Sequence, residues 1–372
     1  MQKHEFILKV KHMKVKVILV TIFLPFTHHA FAENASAQQP SNLTISGYLE
    51  TYYLHNFNDP IDDARPSFTY SHNAVNKPST NLGLIKANLN TDNVRGNLAL
   101  GSGTYMRANY VAEPRGLQKV FEANIGFKLN DNLWLDAGVM PSHIGFESAV
   151  GLDNWTLTRS MLADNSPYFE TGVKLTYTSD DAKWTASGLI LNGWQRIQRP
   201  DGNTTPAIGH QLTYKPNSKI TLNSSSFIGN DKSDNDRRMR YFHNFYGQYQ
   251  LTDQWGLITG LDIGAEQAER NSGQYKLWFT PIIITQYKYS DKLSVTARAE
   301  YYQDKDGVIV TTDTPNGFRT WSYSANLDYM FNPHFALRTE LRKYHSKDPI
   351  FQHDTSFVDE NLVLTTAAII RF

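Results

Sequence analysis

Cysteine is absent from the 372 residues. A disulfide framework, a thiolate nucleophile and a cysteine-ligated metal are therefore excluded. Net charge is absent as well, because 36 Lys and Arg balance 36 Asp and Glu. No basic surplus points to nucleic acid. Long hydrophobic runs are also missing beyond residue 32, where nothing approaches the ~20 apolar residues of a membrane helix. A mature chain embedded in lipid would have to be a closed barrel, the other structure that satisfies every backbone polar group there. Aromatic side chains are plentiful, with 20 Tyr, 20 Phe and 7 Trp.

The N-terminus reads as a secretory leader. Lys14 and Lys16 form a basic segment, Val17 to Phe26 is mostly apolar, and Ala30-Phe31-Ala32 is a small-residue cleavage site before Glu33. Pro25 interrupts the apolar run, which is too short to span a bilayer. Met13 stands just ahead of this pattern, so residues 1–12 read as an upstream extension. The expected organisation is 1–32 extension plus signal peptide, 33–42 a flexible lead of small and polar residues, and 43–372 one β domain. Cleavage removes five lysines and one glutamate, leaving 31 basic and 35 acidic side chains.

From residue 43 onward, apolar and polar residues alternate with a period of two. Leu293, Val295, Ala297, Ala299 and Tyr301 oppose Ser294, Thr296, Arg298 and Glu300. Trp321, Tyr323, Ala325 and Leu327 oppose Ser322, Ser324, Asn326 and Asp328, and Leu337, Thr339 and Leu341 oppose Arg338, Glu340 and Arg342. The last segment runs Leu362, Leu364, Thr366, Ala368, Ile370, Phe372 on one face, with Val363 and Ile369 interrupting the other. Alternation means one apolar and one polar face. A soluble sandwich would alternate too. These segments are longer than the ~5–6 residues usual for soluble strands, and they carry aromatics near their ends, as a lipid-facing wall does.

The connections alternate as well. Short turns rich in Asn, Asp, Ser and Pro fall at 91–93, 130–132, 179–181, 216–217, 252–254, 290–291 and 332–333. Long loops fall at 58–78, 106–116, 141–167, 195–207, 230–236, 268–275, 304–317 and 346–360. This predicts an all-β, transmembrane, antiparallel up-and-down barrel of 16 strands with tight periplasmic turns and long outer loops. The segments over 184–191, and those near 220 and 280, alternate poorly; that pattern suits a contact between copies and leaves monomer and trimer both open.

Between Asn124 and Pro216 several short motifs follow one another: Leu135-Asp136-Ala137-Gly138, Ser142-His143-Ile144-Gly145-Phe146-Glu147, Asn154-Trp155-Thr156-Leu157-Thr158-Arg159-Ser160, Ser166-Pro167-Tyr168-Phe169-Glu170-Thr171-Gly172-Val173, Leu191-Asn192-Gly193-Trp194 and Gly209-His210-Gln211-Leu212-Thr213-Tyr214. Together with Gly47-Tyr48-Leu49-Glu50-Thr51-Tyr52-Tyr53 and Asn56-Phe57-Asn58, this set resembles the OmpL-like putative outer-membrane β-barrel porin family. That family usually has His where this chain has Glu170, and Asp where it has Gln195. The resemblance implies a passive or weakly selective pore in the bacterial outer membrane, with no catalytic residue and no cofactor.

Alternation assigns Glu50, Lys86, Arg95, Glu122, Lys128, Asp136, Lys174, Lys215, Arg238, Arg240, Asp262, Arg298, Glu300, Asp328, Arg338, Glu340, Arg342 and Arg371 to the lumen. This set has more bases than acids, so a mildly anion-favouring pore is one expectation; pairing of Arg298 with Glu300, or of Arg338 and Arg342 with Glu340, is the competing one. Loop 141–167 is the longest and the third of the long set. It carries His143, Glu147, Asp153, Trp155, Arg159 and Asp164 and is expected to fold inward as a constriction facing Arg298, Arg338 and Arg342. A loop lying on the outer rim is the alternative.

Catalytic motifs are absent: there is no G-x-S-x-G, H-E-x-x-H or phosphate-binding G-x-x-x-x-G-K-[ST]. His72, His143, His210, His243, His334, His345 and His353 are scattered and read as ordinary polar or girdle residues. Asp231 to Asp236 resembles a calcium loop but lacks its Gly and distal Glu, so no metal is expected. The expected partners are outer-membrane lipid and lipopolysaccharide, small solutes, and the barrel assembly machinery through the terminal Phe372. A surface-binding barrel without an open pore (an adhesin, receptor or small barrel enzyme) is the second class.

Overall fold

The computed structural model describes residues 42–372. The upstream extension, the leader and residues 33–41 of the lead lie outside the described residues. The strands are β1 (Leu43–Asn56), β2 (Ser79–Asn90), β3 (Val94–Ser102), β4 (Val120–Asn130), β5 (Leu133–Pro141), β6 (Phe169–Thr178), β7 (Trp184–Leu191), β8 (Ala207–Asn217), β9 (Ile220–Gly229), β10 (Arg240–Gln250), β11 (Trp255–Gln267), β12 (Tyr275–Lys288), β13 (Leu293–Asp304), β14 (Phe318–Asn332) and β15 (Phe335–Ser346). A small hairpin, β16 (Phe351–His353) with β17 (Ser356–Val358), precedes the last wall strand, β18 (Glu360–Arg371). Neighbouring wall strands pair in chain order, and β18 pairs with β1 to close the barrel. Sixteen strands thus form the wall, from 8 residues in β7 to 15 in β14.

The burial pattern inverts that of a water-soluble protein. On β15, Leu337 and Leu341 are exposed while Arg338, Glu340 and Arg342 are buried. On β14, Trp321, Tyr323 and Leu327 are exposed while Ser322, Ser324 and Asn326 are buried. Apolar side chains outside and polar ones inside is the arrangement of a barrel wall built to face lipid. Aromatic pairs mark both edges of this band. Trp184 stacks on Tyr214 at 4.1 Å and Phe331 on Phe335 at 5.0 Å near the short turns, while Tyr241 meets Tyr275 at 6.0 Å and Tyr301 meets Trp321 at 4.8 Å near the long loops.

Six of the seven short turns fall where the sequence places them, the exception being Pro216-Asn217, which end β8 just before the chain turns at Ser218-Lys219. Side-chain oxygens explain why they turn. The backbone N–H of Val94 donates to Thr91 Oγ1 at 2.9 Å, that of Trp184 to Ser179 Oγ at 3.0 Å, and that of Trp255 to Thr252 Oγ1 at 3.0 Å. The eight longer connections, L1 to L8, span 57–78, 103–119, 142–168, 192–206, 230–239, 268–274, 305–317 and 347–359. Arg238 is a correction: it lies in L5 before β10 begins and pairs with Asp236 at 3.2 Å, outside the lumen set. Imperfect alternation has a physical cause. Leu189 and Leu191 of β7, and Trp278, Ile282 and Ile284 of β12, face inward and are buried, because the interior there holds protein rather than water.

Phe372 adds the last rung of the closing seam. Its backbone N–H donates to the Gly47 carbonyl at 3.0 Å, and the Gly47 N–H returns a bond to the Phe372 carbonyl at 2.8 Å. The phenyl ring lies over Gly47, where an added Cβ would sit 2.2 Å from Cζ. Gly47→Leu should therefore displace the ring at a cost of about 1–3 kcal/mol. The expected readout is a smaller fraction of compact, heat-modifiable barrel on semi-native electrophoresis; an unchanged fraction would show that this contact does not matter for closure.

Candidate pore and its inward loop

L3 enters the barrel rather than lying on its rim. His143 is its first anchor. Its Nδ1 faces Glu170 Oε2 at 2.6 Å and its Nε2 faces the Ser226 carbonyl at 2.8 Å. A carbonyl only accepts, so Nε2 carries a proton, and the carboxylate takes the other. Burial alone would lower the His143 pKa, but Glu170 and the Ser226 carbonyl outweigh it and hold the value above the usual range. The His143 carbonyl in turn accepts from Gln211 Nε2 at 2.9 Å and Ser225 Oγ at 2.8 Å. Further on, Gly145 N–H donates to Asn244 Oδ1 at 3.2 Å, and Leu162 packs on Ile258, Ile282 and Ile284. L3 thus reaches from β6 past β8, β10 and β12.

The loop then lies on the arginine wall. Arg298 Nη1 donates to the Thr158 carbonyl at 2.8 Å, Arg342 Nη1 to the Arg159 carbonyl at 2.6 Å, and Arg338 Nη1 to the Gly151 carbonyl at 2.7 Å. Carboxylates beside them take the loop's N–H groups: Thr158 donates to Glu340 Oε2 at 2.6 Å and Met161 to Glu300 Oε2 at 2.6 Å. The wall also pairs with itself. Arg298 meets Glu340 at 2.6 Å, Arg342 meets Glu300 at 2.5 Å and Arg338 meets Asp328 at 2.6 Å. The sequence expectation had L3 facing Arg298, Arg338 and Arg342; here it touches all three directly.

The other loop residues divide by environment. Ser160 Oγ accepts from Ala163 N–H at 3.0 Å, which starts the short helix Met161–Asp164, and donates to Glu147. Burial raises the Glu147 pKa against the pull of Arg298, the bonds from Ser160, and Arg159. Arg159 is fully buried and donates to the Ala149 carbonyl. Asp164 is buried too, which pushes its carboxyl up to about 7 despite Arg65, Arg342 and Arg159 nearby. Glu147 and Asp153 line a cavity of about 770 Å³ that also touches Lys86, Glu122 and the Pro333–His334 turn, and so lies on the periplasmic side of L3. A second cavity of about 640 Å³ lies among L1, L7 and L8 on the outer side.

Between them, L1 packs on L3. Asn165 Nδ2 donates to the Phe68 carbonyl at 3.2 Å, and Arg65 Nη2 donates to Tyr344 Oη at 2.5 Å. His72 Nε2 meets Glu50 Oε1 at 2.9 Å, while Asn81 Nδ2 donates to Glu50 Oε2 at 3.0 Å. Sequence reasoning read His72 as an ordinary polar residue and so missed this anchor; an acid on a lumen-facing position of β1 was the only signal for it. Glu170 and Gln195, the two departures from the family pattern, are both structural: Glu170 holds His143, and Gln195 Oε1 accepts from Tyr168 N–H at 2.9 Å.

Elsewhere the lumen charges are mostly paired. Lys86 meets Glu122 at 3.0 Å, Arg95 meets Asp136 at 2.5 Å and Arg240 meets Glu266 at 2.6 Å. Lys174, Lys215 and Lys288 also occupy inward positions, yet none makes an ion pair among the described residues. In L5, Asp231 is tied to Arg240 at 3.1 Å and to Trp194 N–H at 2.9 Å, and no group of three potential metal-binding His, Asp or Glu residues occurs among the described residues.

A closed antiparallel barrel with an apolar outer band, a charged interior and an inward third loop is the architecture of a bacterial outer-membrane pore. Residues 42–372 match the model of the putative beta-barrel porin-2, OmpL-like family. The chain belongs to that family and is an outer-membrane porin. Solved structures share its fold. The OmpF porin of Salmonella typhi, in a complex with daunomycin, has a TM-score of 0.60 at 10% identity, over 89% of this chain and 97% of that one. The outer-membrane channel DcaP of Acinetobacter baumannii has a TM-score of 0.59 at 11% identity, over 89% and 97%. An anion-selective porin from Comamonas acidovorans has a TM-score of 0.58 at 9% identity, over 89% and 99%. No curated protein sequence matches the chain.

Two outcomes follow from the loop's anchors. Glu340→Ala leaves Arg298 without its closest carboxylate and Thr158 N–H without an acceptor, which should cost about 3–5 kcal/mol. A melting temperature unchanged from wild type would contradict this. His143, Glu147 and Asp164 all have raised pKa values in the folded state. The docked loop therefore binds more protons than the released one, so docking is strongest in acid and weakens as pH rises through these values. Hydrogen exchange across residues 142–168 should be faster at pH 9 than at pH 6 after correction for intrinsic rates; slower exchange would reverse the sign.

Proposed function

We propose that this porin passes small polar solutes passively, that L3 forms its narrowest section, and that the pore favours anions weakly. The carrying observation is the neutralisation of the arginine wall: Arg298, Arg338 and Arg342 are matched by Glu340, Asp328 and Glu300, and each has a further Nη donor on an L3 carbonyl. A solute meets instead Lys174, Lys215 and Lys288, and unpaired cations lower the barrier to anions. His143, Glu147, Asp153, Arg159 and Asp164 act by shaping and anchoring the loop. No residue is assigned a catalytic role. Lipid and lipopolysaccharide cover the outer band, and Phe372 is the element offered to the assembly machinery.

Deleting residues 146–160 should raise single-channel conductance several-fold in a planar bilayer; unchanged conductance would remove L3 from the pore. Reversal potentials in a salt gradient test the selectivity. Wild type should favour chloride over potassium modestly, and Lys174→Glu, Lys215→Glu and Lys288→Glu together should turn that preference toward potassium. A cation preference in wild type would refute the anion reading. The packed layer between the two cavities favours the binding-barrel alternative if no stepwise conductance appears at all.

A further inference from the structure

The outer face of β8, β9 and β10 carries an island of polar side chains inside the lipid-facing band. Inward positions on these strands are taken by Gln211, by Asn223 and Ser225, and by Asn244, so His210, Ser224, Ser226 and His243 point outward. Ser226 Oγ lies 2.6 Å from His210 Nδ1, His210 Nε2 lies 3.3 Å from Ser224 Oγ, and Ser224 Oγ lies 2.9 Å from His243 Nε2. Toward the long loops the island is bounded by Ile208, Ile228 and Tyr241. Toward the short turns it is bounded by Leu212, Leu222 and Phe245. It is therefore not part of either polar rim.

This hydrogen-bond chain has an open end. Protons run from Ser226 toward His243 or the other way. In either case His243 Nδ1, as donor or as acceptor, has no protein partner among the described residues. Acyl chains supply none, and an unmatched polar group in hydrocarbon is costly. The ground beside the island is flat, because Gly188 pairs with His210 across the strands and nothing lies within 4 Å of a Cβ built on it.

We propose that this face is where two copies of the chain meet about a two-fold axis. The two ends of the chain are complementary: Ser226 Oγ has a free proton when His243 Nδ1 lacks one, and a free lone pair when His243 Nδ1 carries one, so the island carries both halves of its own complement. A two-fold contact sets the same patch against itself, whereas a cyclic trimer needs a second, different patch. Other polar contacts on the outer wall are small and internally satisfied, such as Thr339 with Thr366 at 3.1 Å and Trp255 with Thr285 at 2.6 Å. Exposed Ile190, Ile208, Phe245 and Ile263 give the contact its apolar surround.

The lack of cysteine makes the test direct. Ser226→Cys places one thiol on the central strand of the patch, and Leu364→Cys places one on β18, across the barrel. Treated with a short bis-maleimide in native outer membranes, the first should yield a dimer several-fold more abundantly than the second. Equal yields would overturn the proposal. Native mass spectrometry of the detergent-extracted wild-type chain checks it without substitution. A dimer mass is expected, and His210→Leu with His243→Leu should shift it to monomer while conductance per pore is retained. A trimer, a bare monomer or a monomer carrying lipopolysaccharide as the wild-type species would each refute the two-fold contact.

Discussion

The ladder of arginines and carboxylates on β13, β14 and β15 decides where everything inside the barrel goes. L3 is irregular backbone, and irregular backbone away from water needs a partner for every N–H and C=O. A wall of neutral side chains would offer few. Guanidinium groups reach the carbonyls of Gly151, Thr158 and Arg159, and carboxylates reach the N–H groups of Thr158 and Met161. Because the ladder presents donors and acceptors in alternation along one strand, it fixes the loop's register as well as its presence. Buried ion pairs add little net stability over apolar packing. What this one adds is a unique place for the loop.

From that placement the interior follows. With L3 held at β13 to β15 and His143 held at β6 and β9, the loop crosses the lumen. L1 then finds a protein surface to lie on, and Phe68, Val75 and His72 become buried. The helix Thr104–Asn109 and the residues after it fill the next space, where Tyr110 stacks on Phe169 at 4.2 Å. Inward-facing apolar residues such as Val363 and Ile369 are required by this filling, since they meet loops rather than solvent.

The wall was legible because its rule is local. Alternation in Leu337-Arg338-Thr339-Glu340-Leu341-Arg342 needs only the pleat of a strand, and the turn at Thr252-Asp253-Gln254 needs only its own hydroxyl. That L3 enters the lumen was also expected from its length and position. The interior contacts were not legible, because they join residues far apart in sequence. Nothing near His72 announces Glu50 22 residues earlier, or near Thr158 announces Glu340 182 residues later. Arg238 was misplaced for a related reason: the alternation continues a few residues past the point where hydrogen bonding to β9 ends, at Arg240.

Counting charges on the lumen face therefore describes a different protein from the one a solute encounters. Arginine is suited to the wall because its planar fork can bind a carboxylate and a backbone carbonyl together, and Arg298, Arg338 and Arg342 each do so. Those arrangements leave little of the cation to act at a distance. Lysine carries a compact charge on a flexible stem and makes no such fork, so Lys174, Lys215 and Lys288 keep their fields. Geometry thus separates three arginines, which build the loop's seat, from three lysines without an ion pair, which in the proposed reading act on whatever passes them.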